Sequence, residues 1–193
     1  LAPFSKVIYV LDVSGSMRGE LAEAIRTIDV FMTDDFGAAA VTFNAEHARW
    51  KGVENHHGHD ATAPCNNRCS PAGWCRMPEH RLELLAHLNS FIGDGDTQPA
   101  SAVAYAIRNA PAECLIVFIS DGGFVGAPVV DAAKAGIAWR KEQEMAPVQL
   151  LVWSTKKDAD KQTSLVDLAK IGGGGLWRAK PPEDQETPPG DPR

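Results

Sequence analysis

The sequence predicts an α/β domain in which helices cover both faces of a sheet. Three observations lead there. Short apolar runs such as Val7 to Leu11 and Leu115 to Ile119 close on polar, glycine-containing turns, as buried parallel strands do. Between such runs lie stretches whose apolar residues recur every three or four positions, the spacing of one helical face. The two kinds of segment alternate along the chain with no repeat period.

Lys6 to Asp12 is the first strand. From Glu20, the residues Leu21, Ala24, Ile25, Ile28, Phe31 and Met32 line one face of a helix expected to end near Asp34 to Gly37. Ala39 to Phe43 reads as a second strand. The neighbourhood of His47 to Lys51 reads as a weaker third, joined to it by the hairpin turn Asn44-Ala45-Glu46. Helical spacing resumes in Leu82, Leu85, Leu88, Phe91 and Ile92 and stops at Gly93-Asp94-Gly95-Asp96. A helix rich in small residues is expected from Gln98 to Asn109, with Thr97 at its opening. Cys114 to Ser120 is the strongest buried-strand signal. A helix from Pro128 to Met145 follows, with proline suited to its first turn. Val148 to Trp153, Ser164 to Ile171 and Gly175 to Arg178 complete the pattern as strand, helix and strand. Cys114 and the tryptophans Trp50, Trp139, Trp153 and Trp177 are expected in the core, and His47 and His87 at the surface or core edge. Residues 1–180 thus read as one domain, and the proline-rich, polar 181–193 as a disordered tail or linker.

The 193 residues are 44% apolar and 23% charged, proportions of one soluble globular domain. With 19 basic and 25 acidic side chains the net charge is −6, and no basic cluster offers a nucleic-acid backbone a footprint. No apolar run approaches the roughly 20 residues that cross a bilayer. The sequence opens at Leu1 without a signal-peptide pattern, so any targeting segment or anchor is expected outside it. Such a flank would imply an extracellular or membrane-anchored protein, and its lack a cytoplasmic one.

In an open α/β sheet, ligands bind beyond the carboxyl ends of the strands. The first strand ends in Asp12-Val13-Ser14-Gly15-Ser16, the fourth in Asp121-Gly122, and Thr97 follows a Gly/Asp turn. Every one of these side chains offers oxygen, the donor set of hard cations such as Mg2+, Mn2+ or Ca2+. Asp12, Ser14 and Ser16 alternate, so a locally extended loop turns them toward one point. The hydroxyls of Ser14, Ser16 and Thr97 would be neutral direct ligands, with Asp12 and Asp121 orienting them through water. A cation so held keeps much of its charge and an open position for a partner's carboxylate.

Asp12-x-Ser14-x-Ser16, then Thr97, then Asp121 resembles the metal ion-dependent adhesion site of von Willebrand factor type A domains. The likeness spans about Ser5 to Ala179 and includes the runs Val7 to Met17 and Leu115 to Gly122. It implies a doubly wound, mostly parallel six-stranded sheet of Rossmann-like form with one antiparallel edge strand. It also implies divalent-cation-dependent binding of a protein ligand, through an acidic side chain, without catalysis. Asp96 departs from the glycines that usually precede the family's threonine; it either adds negative charge beside the cation, opposing an acidic ligand, or faces solvent or caps the following helix. An alternative role is a regulatory or scaffold subunit of an intracellular complex, such as one with an ATPase. A metal-dependent hydrolase is a lesser alternative, with only Asp94 and Asp96 as spare bases. The haloacid dehalogenase pattern fails at Ser14, the serine hydrolase elbow fails on spacing, and no nucleotide-binding loop occurs.

Periodicity vanishes from about residue 54 to 78, a Cys/His-rich insert. Cys65, Cys69, Cys75 and His80, with His56, His57 and His59 as alternates, are sufficient for a Cys3His zinc site. A disulfide with one cysteine left over, or free thiols, are the other readings, and compartment decides among them. Trp74 is the insert's candidate for an exposed contact.

Overall fold

The structure is a computed structural model that describes residues 4, 6–32, 37–49, 78–156 and 158–178. Its strands are β1 (Lys6–Asp12), β2 (Gly37–Phe43), β3 (His47–Arg49), β4 (Cys114–Ser120), β5 (Gln149–Ser154) and β6 (Gly173–Arg178), in the spatial order β3-β2-β1-β4-β5-β6. The five strands from β2 to β6 in that order run parallel. β3 pairs antiparallel with the end of β2, placing His47 opposite Phe43. Winding reverses between β1 and β4, which makes the gap beyond their carboxyl ends the topological switch point.

Side-chain alternation sorts the core into two layers. Ile8 and Val10 of β1 pack with Ile116 and Phe118 of β4 under α3 (Ala100–Asn109), α4 (Gly126–Glu142) and α5 (Thr163–Gly172). Tyr9 and Leu11 point the other way, beneath α1 (Leu21–Phe31) and α2 (Pro78–Asn89). Leu21, Ala24, Ile25 and Ile28 form the buried stripe of α1, as their spacing predicts. Each large aliphatic side chain so buried contributes roughly 1.5–3 kcal/mol. An apolar cavity of about 690 Å³ lies between α1 and the sheet, lined by Tyr9, Phe31, Ile119, Trp153 and Trp177 among others. Among the described residues none of the candidate metal ligands lines it.

One buried cation joins helix ends. The guanidinium of Arg140, 2% exposed near the end of α4, donates to the carbonyls of Ile107 (2.9 Å) and Ala110 (2.6 Å) at the end of α3. It also donates to Ala146 at 3.0 and 2.5 Å. Helix carboxyl ends carry partial negative charge, which suits a cation there.

Several expectations need correction. α1 stops at Phe31, with Met32 extended beyond it. α2 buries Leu84 and Leu88, whereas Leu82 is 71% exposed, and it ends at Asn89, so Phe91 and Ile92 lie past it. Its interleaved Glu, His and Arg residues leave only a weak apolar stripe for periodicity to find. Of the tryptophans, Trp153 is in the core, but Trp139 is half-buried with the Arg108 guanidinium over its ring, and Trp177 is exposed on the edge strand. Cys114 is buried as expected. His47 is hydrogen-bonded to Ser101 Oγ at 2.9 Å, a partner the sequence did not suggest, and half-buried His87 meets the Phe91 ring edge-on. Trp50, the insert residues His56, His57, His59, Cys65, Cys69, Trp74 and Cys75, the side chain of His80, and 181–193 lie outside the described residues.

Candidate metal centre

Asp12 closes β1 and is fully buried at the switch point. Its Oδ1 accepts the Ser14 backbone N–H at 2.9 Å, and its Oδ2 accepts the Ser120 hydroxyl at 2.6 Å. The first bond turns the chain directly after the strand. Ser14 stays extended (φ −69°, ψ 170°), and a 3-10 turn over Gly15–Gly19 then carries Ser16 back toward β4. Ser14 Oγ and Ser16 Oγ are 3.1 Å apart, and Ser16 Oγ donates to Asp121 Oδ1 at 3.1 Å. The Gly123 N–H donates to the same carboxylate oxygen at 3.2 Å. The structure therefore gathers Asp12, Ser14, Ser16 and Asp121 from two strand ends 105 residues apart at their hydrogen-bonded link.

Thr97 sits half-buried on a neighbouring loop. That loop is docked by Gly15 N–H on Gly95 O (3.0 Å), Asp94 N–H on Val13 O (3.0 Å) and Gln98 N–H on Asn44 O (2.8 Å). Arg18 Nε holds Gly93 O at 3.1 Å. Close approach here demands glycine at 93, where φ is +74° and a Cβ would lie 2.8 Å from Arg18 Cα. α3 begins only at Ala100 after Pro99, so Thr97 does not open the helix as expected, and Asp96 is exposed rather than its cap. Among the described residues the hydrogen-bonded chain from Asp12 to Asp121 does not include Thr97.

Burial pushes the Asp12 carboxyl above its ordinary value; the bonds from Ser120 and Ser14 act oppositely, and the neighbouring charge of Asp121 pushes it further up. Among the described residues neither carboxylate is hydrogen-bonded to a lysine or arginine. Two acids and two hydroxyls, with Asp12, Ser14 and Asp121 buried and Ser16 exposed at the surface above them, fit a hard, oxygen-loving cation. No group of three or more His, Cys, Asp or Glu gathers among the described residues, so the donor set is hydroxyl-rich rather than imidazole or thiolate.

The structure adds residues that pattern reading passed over. Ser120 was legible as the polar end of β4, and its hydroxyl also accepts the Gly122 N–H at 3.0 Å. Gln162 donates through Nε2 to the Asp121 carbonyl at 3.1 Å, while its buried Oε1 has no partner among the described residues. The carboxylate of Glu20, just past the 3-10 turn, accepts from both Thr155 Oγ1 and Lys156 Nζ. No sequence signal links these distant positions.

No protein-family model and none of the curated proteins matches the chain in sequence. Solved structures do match in shape. An aerotolerance-related membrane protein from Bacteroides fragilis, crystallised with multiple mutations to serines, aligns over 91% of both chains with a TM-score of 0.60 and 15% identity. BatB from Bacteroides thetaiotaomicron, a conserved hypothetical protein, aligns over 91% of this chain and 90% of its own, at TM-score 0.60 and 17% identity. The chain has a von Willebrand A-like fold. The human COPII-coat protein Sec24c shares it at TM-score 0.52 and 10% identity, with 92% of this chain spanning 30% of that one. At these identities the von Willebrand A-like likeness concerns architecture alone. Among the described residues no helix is long and apolar enough to cross a membrane.

Proposed function

We propose that this chain is a divalent-cation-dependent protein-binding domain of the von Willebrand A type, with a metal ion-dependent adhesion site at the β1/β4 switch point. The observation that carries the reading is the hydrogen-bonded series Asp121–Ser16–Ser14 above the buried Asp12. Ser14, Ser16 and Thr97 supply the hydroxyls, and Asp12 and Asp121 the negative charge, for Mg2+ or a similar ion. A bound cation of this kind supplies an electrophilic point for an anionic group of a partner. The chain's own residues do the rest: Ser120 and the Ser14 amide orient Asp12, the Gly123 amide orients Asp121, and the docked 93–99 loop brings Thr97 to the same edge. The reading is of binding, not catalysis; Asp94 and Asp96, the spare acids, are exposed.

Calorimetric titration of the metal-free protein with Mg2+ and Mn2+ tests this. One saturable site in the wild type that is lost in Asp12→Ala and weakened in Ser14→Ala supports it. Equal cation affinity in wild type and Asp12→Ala refutes it.

A further inference from the structure

We propose that Lys156 is the anion-recognition residue of this site, its ammonium held by Glu20 at the sheet edge that also carries Asp121, so that a partner's aspartate or glutamate side chain is shared between it and the cation. The inference rests on the cation-binding reading above and names the partner chemistry.

Three placements carry it. Ser120 pairs with Ser154 across β4 and β5, so Asp121 and Lys156 leave neighbouring strand ends at the same sheet edge. The Lys156 N–H donates to Ser154 Oγ at 3.2 Å, turning the chain at the end of β5. The ammonium is then tethered by Glu20, which lies directly after the turn that carries Ser16. Glu20 also accepts from Thr155 Oγ1, so one carboxylate fixes both residues of the β5 loop. The contact with Glu20 first, and the charges of Glu20, Asp121 and Asp158 after it, favour the charged form of Lys156.

The tether matters because a free surface lysine spends most of its energy on losing its own freedom. Here Glu20 has already imposed the orientation. The Lys156 side chain remains 40% exposed, and with one of the ammonium's three donors taken by Glu20, two are left for an incoming acceptor. A fixed positive charge near Asp121 opposes cation capture modestly and favours an anion once the cation is in place. An ion pair that only stapled the β5 loop to α1 would do neither.

The test uses the full chain, loaded with Mg2+, and the peptide acetyl-Gly-Asp-Gly-amide as probe, with its Asn counterpart and free acetate as the other arms. Binding is followed by NMR titration in wild type, Lys156→Met, Lys156→Arg and Glu20→Gln. The expected results are binding of the Asp but not the Asn peptide, a loss of about five-fold in Lys156→Met, the size of one exposed ion pair, and recovery in Lys156→Arg. Mg2+ affinity in Lys156→Met should be equal or tighter. Unchanged peptide affinity in Lys156→Met, with Mg2+ still bound, overturns the inference alone. So does a loss in Glu20→Gln as large as in Lys156→Met, which marks the pair as a staple. Binding of acetate without the Asp peptide also overturns it, in favour of a free small acid. Failure of the wild type to bind Mg2+ at all overturns the functional reading and this inference with it.

Discussion

Ser120 Oγ donates to Asp12 Oδ2 at 2.6 Å, joining the last residue of β4 to the last residue of β1 inside a site where both are fully buried. The same hydroxyl accepts the Gly122 N–H. Ser120→Ala removes both roles and leaves a buried carboxylate oxygen without its donor. The expected cost is about 1–3 kcal/mol, read as a lower urea midpoint at constant m-value. A midpoint within error of wild type would show that another donor takes its place.

Asp12→Asn separates the electrostatic cost of the site from its use. The carboxyl is raised from its ordinary 3.8 chiefly by burial. The metal-free native state therefore holds this proton more tightly than the unfolded chain does. Stability from this group is greatest below the ordinary value, falls as pH rises through the raised native value, and is lowest above it. Metal-free Asp12→Asn should accordingly melt at or above the wild-type temperature at pH 7, with the advantage vanishing toward pH 3. Saturating Mg2+ at 100 times its dissociation constant should add about 2.7 kcal/mol to the wild type and nothing to the variant. Melting curves across pH, with EDTA or Mg2+, check both statements.

How far the sequence announced these features depends on the range of the signal. β4 occupies the residues expected, Cys114–Ser120, because a strand covered on both faces needs an unbroken apolar run. The oxygen set was legible because Asp12, Ser14 and Ser16 share one loop and Asp121 ends the other apolar run. Thr97 was assigned to a helix opening because Gly/Asp turns commonly precede helices, yet the backbone stays irregular to Pro99. In α2, Leu84 was missed as a core residue because its charged neighbours blur the stripe. Ser120, Lys156 and Gln162, and Arg140 in its bonds to the end of α3, act through partners 30 or more residues away, across contacts that no local pattern encodes.

Gly93→Ala tests the docking of the threonine-bearing loop. A positive φ and a Cβ 2.8 Å from backbone leave no room for relaxation short of moving the loop. A loss of at least about 1–3 kcal/mol is expected from the strain, accompanied by weaker Mg2+ binding as Thr97 is displaced. Wild-type cation affinity in a destabilised Gly93→Ala would detach Thr97 from the site.

Arg140→Met keeps much of the side chain's bulk while deleting its donors to three carbonyls. With those carbonyls left short of partners, the expected cost is about 2–4 kcal/mol. Thermal and urea unfolding measure it, and a change below 1 kcal/mol would mean that water replaces the guanidinium without loss.

Burial pushes the Cys114 thiol up to about 12. Its reaction with a thiol reagent at pH 8, followed by mass spectrometry of the Cys114 peptide, should therefore await unfolding and accelerate sharply in denaturant. Native-state labelling at the rate of a free thiol would contradict the buried placement.

The parallel winding has a last effect on the candidate site. α1, α4 and α5 each start after the carboxyl end of the strand before them, and α3 starts just beyond the loop docked on Gly15. Their unpaired amides give that rim partial positive charge, while Asp12 and Asp121 make its floor negative. That edge therefore mixes the partial positive charge of helix amides with the exposed acids Asp94 and Asp96 of the docked loop, so the polarity felt by whatever docks there depends on which of the two it meets first.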